Sequence, residues 1–316
     1  MTLSPEAIKK ISEIKLTSMD SIFENKMLGI IYGNVDIYGN ADVLEYYNFE
    51  TEERRKLADA NAAIWGVHHD SKNKKTFYDD GDKSLVCLET GLKQERSDYI
   101  RSINSFNGLI LDAGWYGLFN TETGKGLISR NSLENKNIYS INSFGCFNNS
   151  LYALVTKNDT FRSVVEVNTS DPNNFFIGET IKNYDVKHSD ICDFAIVPQG
   201  KLTGDNGKAY PFSIITCANR YYLDLNGEKI IETKVKNSSN QSINRLKLIK
   251  STPTTAEIIY SGTNLKNIYK ANINLTNKTT ITEPIITDLS TFVLALQPIF
   301  KRDSHEYLSS LGSVIR

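Results

Sequence analysis

From residue 22 onward the chain alternates strand-sized apolar runs with clusters of Asn, Asp, Gly, Ser and Lys. A fragment of this length and composition, bounded by turn residues, predicts a β-strand. The first unit holds 27–32 and 43–49 around the turn-rich 33–40, and the second holds 62–68, 76–78 and 85–88. The third holds 103–106, 109–112, 115–120 and 126–129, and the fourth 140–147, 151–156, 163–167 and 175–181. The fifth holds 191–197, 212–217, 221–225 and 229–233 with a long insertion at 198–211, and the sixth 243–249, 257–260, 268–273 and 279–286. A seventh begins at 289–297. Asn107-Gly108, Thr123-Gly124 and Asn226-Gly227 supply hairpin chemistry, because Gly and Asn tolerate the positive φ that tight hairpin turns require. Val164-Val165, Ile214-Ile215 and Ile258-Ile259 are apolar at consecutive positions, as in strands buried on both faces. The one helical signal is Ser4-Pro5-Glu6, a cap and first-turn proline opening 5–13, although 8–16 could equally pair as an outer strand.

A phrase repeats across these units. Ser102-Ile103-Asn104-Ser105-Phe106 returns as Ser140-Ile141-Asn142-Ser143-Phe144. Looser copies follow at Asp190-Ile191-Cys192-Asp193-Phe194, Ser242-Ile243-Asn244-Arg245-Leu246 and Asp288-Leu289-Ser290-Thr291-Phe292. The copies lie roughly 40 to 50 residues apart, the period of a four-stranded propeller blade. The expected fold is therefore all-β, a single β-propeller over 18–316 preceded by a helix or closing strand at 1–17. Seven blades are favoured, closed by the N-terminal segment 8–17 pairing with the C-terminal blade. Six is the alternative if residues from Leu289 onward are only a closing strand.

The repeat resembles a β-propeller of the divergent WD40-like kind across about Thr17 to Arg316. The resemblance implies an architecture and no specific activity. The Trp-Asp pair that closes a typical WD40 blade is absent, as are the Gly-His pair and kelch double glycines. Thr203, Asp205 and Gly207 fit the Asp-box turn of sialidase-like propellers, but Ala209 and Tyr210 depart from it. In that family the box is a structural turn.

The 36 basic and 37 acidic residues nearly cancel, so no global field draws the chain to nucleic acid or anionic lipid. Lys229, Lys234, Lys236, Arg245, Lys247 and Lys250 would give a basic edge, which Glu228 and Glu232 interrupt. No apolar run is long enough to span a bilayer, and the start lacks the apolar core of a signal peptide, so a cytoplasmic protein is expected. The four cysteines show no paired spacing and read as reduced thiols. Phosphate-binding glycine loops, a Gly-x-Ser-x-Gly elbow and a His-Glu-x-x-His helix are missing.

His68 and Asp70 share a strand face and are the candidate metal pair, but two ligands do not make a site. His188 and Asp190, with Asp20, Asp59 and Asp288, would stand at blade starts near a channel mouth, where carboxylates could converge on a divalent cation. Two functions follow from such a fold. The favoured one is a non-enzymatic platform that binds a protein or peptide through its top face and loops, without nucleic acid, membrane or cofactor. The alternative is a lactonase-like hydrolase or small-ligand binder with a metal in the central channel. A wide aromatic and charged patch on one face would support the first.

Overall fold

A computed structural model describes residues 27–35, 42–81, 83–96, 99–157, 161–185, 193–217, 222–232, 242–263, 267–287, 289 and 292–300. The predicted helix at 5–13 and the closing segment at 8–17 lie outside them. The strands form six antiparallel sheets of four, arranged as the blades of a propeller. Blade I joins β1 (Met27–Val35), β2 (Asp42–Asn48) and β3 (Arg54–Ala60) to β24 (Phe292–Phe300) from the other end of the chain. Blade II runs from β4 (Val67–Asp70) to β7 (Lys93–Glu95), and blade III from β8 (Ile100–Phe106) to β11 (Gly126–Ile128). Blade IV runs from β12 (Ile138–Phe147) to β15 (Phe176–Asp185) and blade V from β16 (Phe194–Thr203) to β19 (Glu228–Glu232). Blade VI runs from β20 (Ser242–Ser251) to β23 (Thr280–Ile286). The one described helix, α1 (Arg130–Glu134), is a single turn capped by Ser129, so no described helix is long and apolar enough to cross a membrane.

The expected seventh blade is instead the innermost strand of the first. β24 pairs antiparallel with β1, Ile30 opposite Pro298 and Tyr32 opposite Leu296. The reason lies in β1, where Leu28, Ile30, Ile31 and Tyr32 are all buried. A strand apolar on both faces cannot stand at an open sheet edge, and the C-terminal strand covers it. The ring thus closes through three N-terminal strands and one C-terminal strand, not through a single N-terminal strand. β3 and β7 escape the apolar pattern because they are outermost, with Arg54, Arg55, Lys56, Lys93 and Glu95 in solvent. The insertion at 198–211 is no loop either. It extends β16 and β17 (Ala209–Thr216) into a long hairpin that turns at Gly207 with φ 78°. Its Asp205 accepts from Lys182 Nζ and the Asn183 backbone N–H (both 2.8 Å), pinning blade V to blade IV.

The core is a ring of six interfaces, one between each pair of adjacent blades. Alternation along each middle strand divides its side chains between two neighbours. On β13 (Ser150–Lys157), Leu151, Ala153 and Val155 pack toward blade III, while Tyr152 and Leu154 pack toward blade V. On β21 (Thr255–Thr263), Ala256, Ile258 and Tyr260 face blade V, and Ile259 faces blade I. The unbroken apolar runs have this physical meaning: a strand of period two between two dry interfaces has no polar side.

Two buried charged residues join the blades at the axis. Arg245, on the innermost strand β20, is 4% exposed and reaches across the channel. Its guanidinium donates to the carbonyls of Leu294 (2.6 Å), Trp65 (2.7 Å) and Arg101 (2.8 Å), binding blade VI to blades I, II and III. Asp193, 3% exposed at the start of blade V, accepts from Ser143 Oγ of blade IV and from the Leu246 N–H of blade VI (3.3 Å). The basic edge expected at blades V and VI is therefore not an edge at Arg245 and Lys247, which point to the axis, while Lys229 and Lys250 pair with Glu232 and Glu257. Two other buried carboxylates, Asp79 and Asp224, are hydrogen-bonded by backbone N–H groups. Burial pushes Asp79 up to about 7 and Asp224 up to about 8, although backbone N–H groups of Trp65, Gly66 and Gly81 serve the first and that of Gly227 the second.

Arg245→Met is expected to lower stability by about 3–5 kcal/mol, since it strands several buried carbonyls, and Arg245→Lys to recover only part of that. Urea denaturation checks both. Asp224 has a folded pKa above its unfolded one, so stability is lost as pH rises from about 4 toward 8. Asp224→Asn should gain on the order of a few kcal/mol relative to the parent at pH 8 and little at pH 4. Melts across this range read the difference, and a gain independent of pH would contradict a protonated Asp224.

Candidate functional site

The two ends of the propeller differ in kind. The upper face, where the innermost strands begin, carries a cluster of exposed aromatic and cationic side chains over blades II to IV. Tyr99, Trp115, Tyr116 and Tyr139 are 46%, 44%, 40% and 52% exposed. Tyr99 precedes β8, Tyr139 opens β12, and Trp115 and Tyr116 lie in the turn between β9 (Leu109–Gly114) and β10 (Leu118–Asn120). Tyr99 meets Trp115 edge to face with centroids 6.5 Å apart. The Arg101 guanidinium lies 5.1 Å from the Trp115 centroid, Arg130 5.0 Å from that of Tyr116, and Lys83 Nζ 5.2 Å from that of Tyr99. Such stacking holds long cationic side chains in place and leaves wide, rigid rings toward solvent.

Between blades III and IV this patch dips into a pocket of about 330 Å³. Arg101, Arg130 and Arg162 contribute its cations, and Trp115 and Tyr139 its aromatic walls. Its lining residues Ser140, Thr156 and Arg101 are tied together through Asn142. Asn142 Nδ2 donates to Thr156 Oγ1 (2.8 Å), Ser140 Oγ donates to Asn142 Oδ1 (3.1 Å), and Arg101 donates to the same Oδ1 (3.0 Å). α1 places Arg130 at the rim, where Glu134 accepts from its Nε at 2.6 Å. Among the described residues, no carboxylate lines the pocket.

The lower end of the channel is a second cavity, of about 270 Å³, walled by the innermost strand of every blade. His68, Asn104, Cys146, Lys247 and Gln297 supply polar groups, and Phe194, Ile196, Leu248 and Phe300 apolar surface. Beside Arg245 and Asp193 lies a separate void of about 10 Å³, room for one water. His68 is buried, its Nε2 makes no hydrogen bond among the described residues, and burial drops its pKa to about 3, so the ring is neutral. Burial also holds the Lys247 ammonium below the usual lysine range, against the pull of Asp193.

The residues singled out by sequence are distributed differently. His68 and Asp70 share β4, yet only His68 lines the channel. The Asp70 carboxylate accepts from the backbone of Lys72 and Asn73 and from Asn73 Nδ2 at 2.6 Å, which closes the hairpin. Asp59 is exposed on β3, the outermost strand of blade I, beside Lys56. Asp20, His188, Asp190 and Asp288 lie outside the described residues. Among the described residues, no three His, Cys, Asp or Glu side chains gather closely enough to hold a metal ion. The repeat residue Asn104 does line the channel, and its counterpart Asn142 bonds Arg101, Ser140 and Thr156 of the upper pocket's lining. The arginines and aromatics of that pocket carried no sequence signal beyond Tyr99, Arg101, Trp115 and Tyr116 lying at strand ends, since loops from two blades bring them together.

No family model and no curated protein matches the chain. Its structure is similar to the WD40 β-propeller domain of Doa1, with 12% identity and a TM-score of 0.49, covering 85% of this chain and 89% of that one. A proposed 6-phosphogluconolactonase of Bacteroides fragilis NCTC 9343 matches at 14% identity and a TM-score of 0.47, covering 86% and 98%. A chain of the nidogen/laminin complex matches at 11% identity and a TM-score of 0.47, covering 85% and 97%. By its own strand order and its six inter-blade cores, the chain is a divergent six-bladed β-propeller.

Proposed function

We propose that the protein is a non-enzymatic interaction platform that binds a protein or peptide partner on its upper face. One observation carries the reading: the exposed Tyr99, Trp115 and Tyr116, stacked with Lys83, Arg101 and Arg130, beside the exposed Tyr139 around a pocket. Tyr, Trp and Arg are the residues that dominate binding energy at protein interfaces, because they present large surfaces at low entropic cost. The inter-blade cores hold these loops on rigid strands, so binding costs little reorganisation. A reducing, cytoplasmic setting belongs to the same proposal and is supported by the free thiol of Cys146 at the surface.

A second reading, a small-ligand binder using the channel, draws on the lower cavity with His68 and Lys247 in its wall. These groups are neutral or cationic, which favours an anionic ligand over a bound metal there. The two readings separate by experiment. A photocrosslinking amino acid in place of Tyr139 should capture a discrete partner in the producing cell, while the same label in place of Ile281, 75% exposed on β23, should not. Trp115→Ala with Arg130→Glu should cut the Tyr139 adduct at least tenfold with a melting temperature within a few degrees of the parent, as expected for exposed positions. Equal adducts from both positions would sink the platform. Under the platform reading, melts with and without EDTA coincide. A stoichiometric metal whose removal lowers the melting temperature would move the assignment to the channel.

A further inference from the structure

We propose that the Asn107-Gly108 turn is a site of covalent backbone modification, where the chain deamidates through a cyclic imide to aspartate and isoaspartate. The inference stands apart from the platform reading, because this turn joins the lower ends of β8 and β9, on the face opposite the aromatic patch.

The reaction needs one nucleophile and one electrophile, both on the chain itself. The Gly108 amide nitrogen loses its proton to hydroxide and attacks Asn107 Cγ. The new N–Cγ bond closes a five-membered ring, the Cγ–Nδ2 bond breaks, and Nδ2 leaves as ammonia after taking a proton from water. Water then adds to either carbonyl of the imide. Opening on one side gives aspartate. Opening on the other gives isoaspartate, whose main chain runs through the side-chain carbon. Water is consumed and ammonia released, so no oxidant, metal or enzyme is required. Glycine suits the second position because it has no Cβ to shield the nitrogen.

The sequence has three Asn-Gly pairs, at 107–108, 206–207 and 226–227, each in a turn with positive φ at the glycine. The fold treats them differently. Asn226-Gly227 is the matched comparison, since it forms the same two-residue hairpin turn, with φ of 56° and 90° against 47° and 80° at Asn107-Gly108. At 226–227 both reacting groups are tied. The Gly227 N–H donates to Asp224 Oδ1 (3.0 Å), and Asn226 Oδ1 accepts from the Ile214 N–H (2.8 Å). Asn226 Nδ2 donates to the Lys201 carbonyl (3.0 Å) and to Ser213 Oγ (3.2 Å). A side chain so held cannot swing its Cγ onto the next nitrogen without breaking these bonds. Asn206-Gly207 is tied in the same way. The Gly207 N–H donates to the Gly204 carbonyl (2.9 Å), Asn206 Nδ2 to Tyr210 Oη (2.9 Å) and Glu179 Oε2 (3.2 Å), and Asn206 Oδ1 accepts from the Lys208 N–H (3.1 Å).

Asn107-Gly108 has none of these restraints. Both residues are exposed, and among the described residues neither the Asn107 side chain nor the Gly108 N–H makes a hydrogen bond. The space beside Gly108 is open, with nothing within 4 Å of where a Cβ would stand, so hydroxide and water reach the ring-closing atoms. The consequence is local. Isoaspartate adds a carbon to a turn of two residues, next to Phe106, which lies opposite Leu109 and packs edge to face on Phe175 in the core between blades III and IV.

The test uses the unmodified chain, aged in mildly alkaline buffer both folded and in guanidinium chloride. Peptide mapping by mass spectrometry, with electron-transfer fragmentation to separate isoaspartate from aspartate, follows all three sites. In the folded protein, conversion at Asn107 should be at least tenfold faster than at Asn206 or Asn226, with isoaspartate among the products. In denaturant the three rates should converge to within a few-fold, because the restraints are gone. A folded-state rate at Asn107 no faster than that at Asn226 overturns the proposal. So does a product that is aspartate alone, since the imide opens both ways. A tenfold spread that persists in denaturant also overturns it, by placing the cause in the flanking sequence and not in the fold.

Discussion

The ring depends on one buried guanidinium. Six wedge-shaped sheets packed side by side leave an axial space where backbone carbonyls of the innermost strands point inward with no ladder partner. Arg245 fills that space and donates to carbonyls of blades I, II and III at once. Asp193 performs the complementary task for backbone N–H and hydroxyl donors of blades IV and VI. A buried ion of either sign is unfavourable alone, and here each is surrounded by fixed dipoles of the opposite sense. The first and last described strands share one blade.

The hub stands between the two faces, with a void of about 10 Å³ beside Arg245 and Asp193. The upper patch is a surface site with a side pocket, and the lower cavity is walled by the innermost strands. The two are still mechanically linked, since the Arg101 carbonyl is held by Arg245 while its side chain forms the wall of the upper pocket. A residue with its backbone fixed at the hub and its guanidinium fixed by Asn142 and Trp115 has little freedom left to lose on binding.

Much of the fold could be read along the chain. Asn107-Gly108, Asn226-Gly227 and Gly124 take the positive φ that their turns were expected to need. The repeated phrase falls on β8, β12 and β20, each the innermost strand of its blade. Outermost strands such as β3 and β7 were illegible because solvent on one side removes the need for an apolar pattern. Asp59 lies on an outermost strand and Asp70 closes a hairpin, because proximity to a blade end in sequence does not say which strand, inner or outer, a residue joins or which way its side chain turns.

By itself, the sequence determined the class of structure: short strands apolar on both faces, hairpin turns of defined chirality, and a repeat near the length of a blade. These are local properties, set by the period of a strand and the φ preferences of Asn and Gly. Only the tertiary structure decided the number of blades, since six and seven differ solely in whether 292–300 starts a new sheet or completes β1. It also decided the sites. Arg101, Arg130, Arg162, Trp115 and Tyr139 meet because two neighbouring blades turn their loops to one face, a juxtaposition fixed by packing across the interface and by no spacing along the chain.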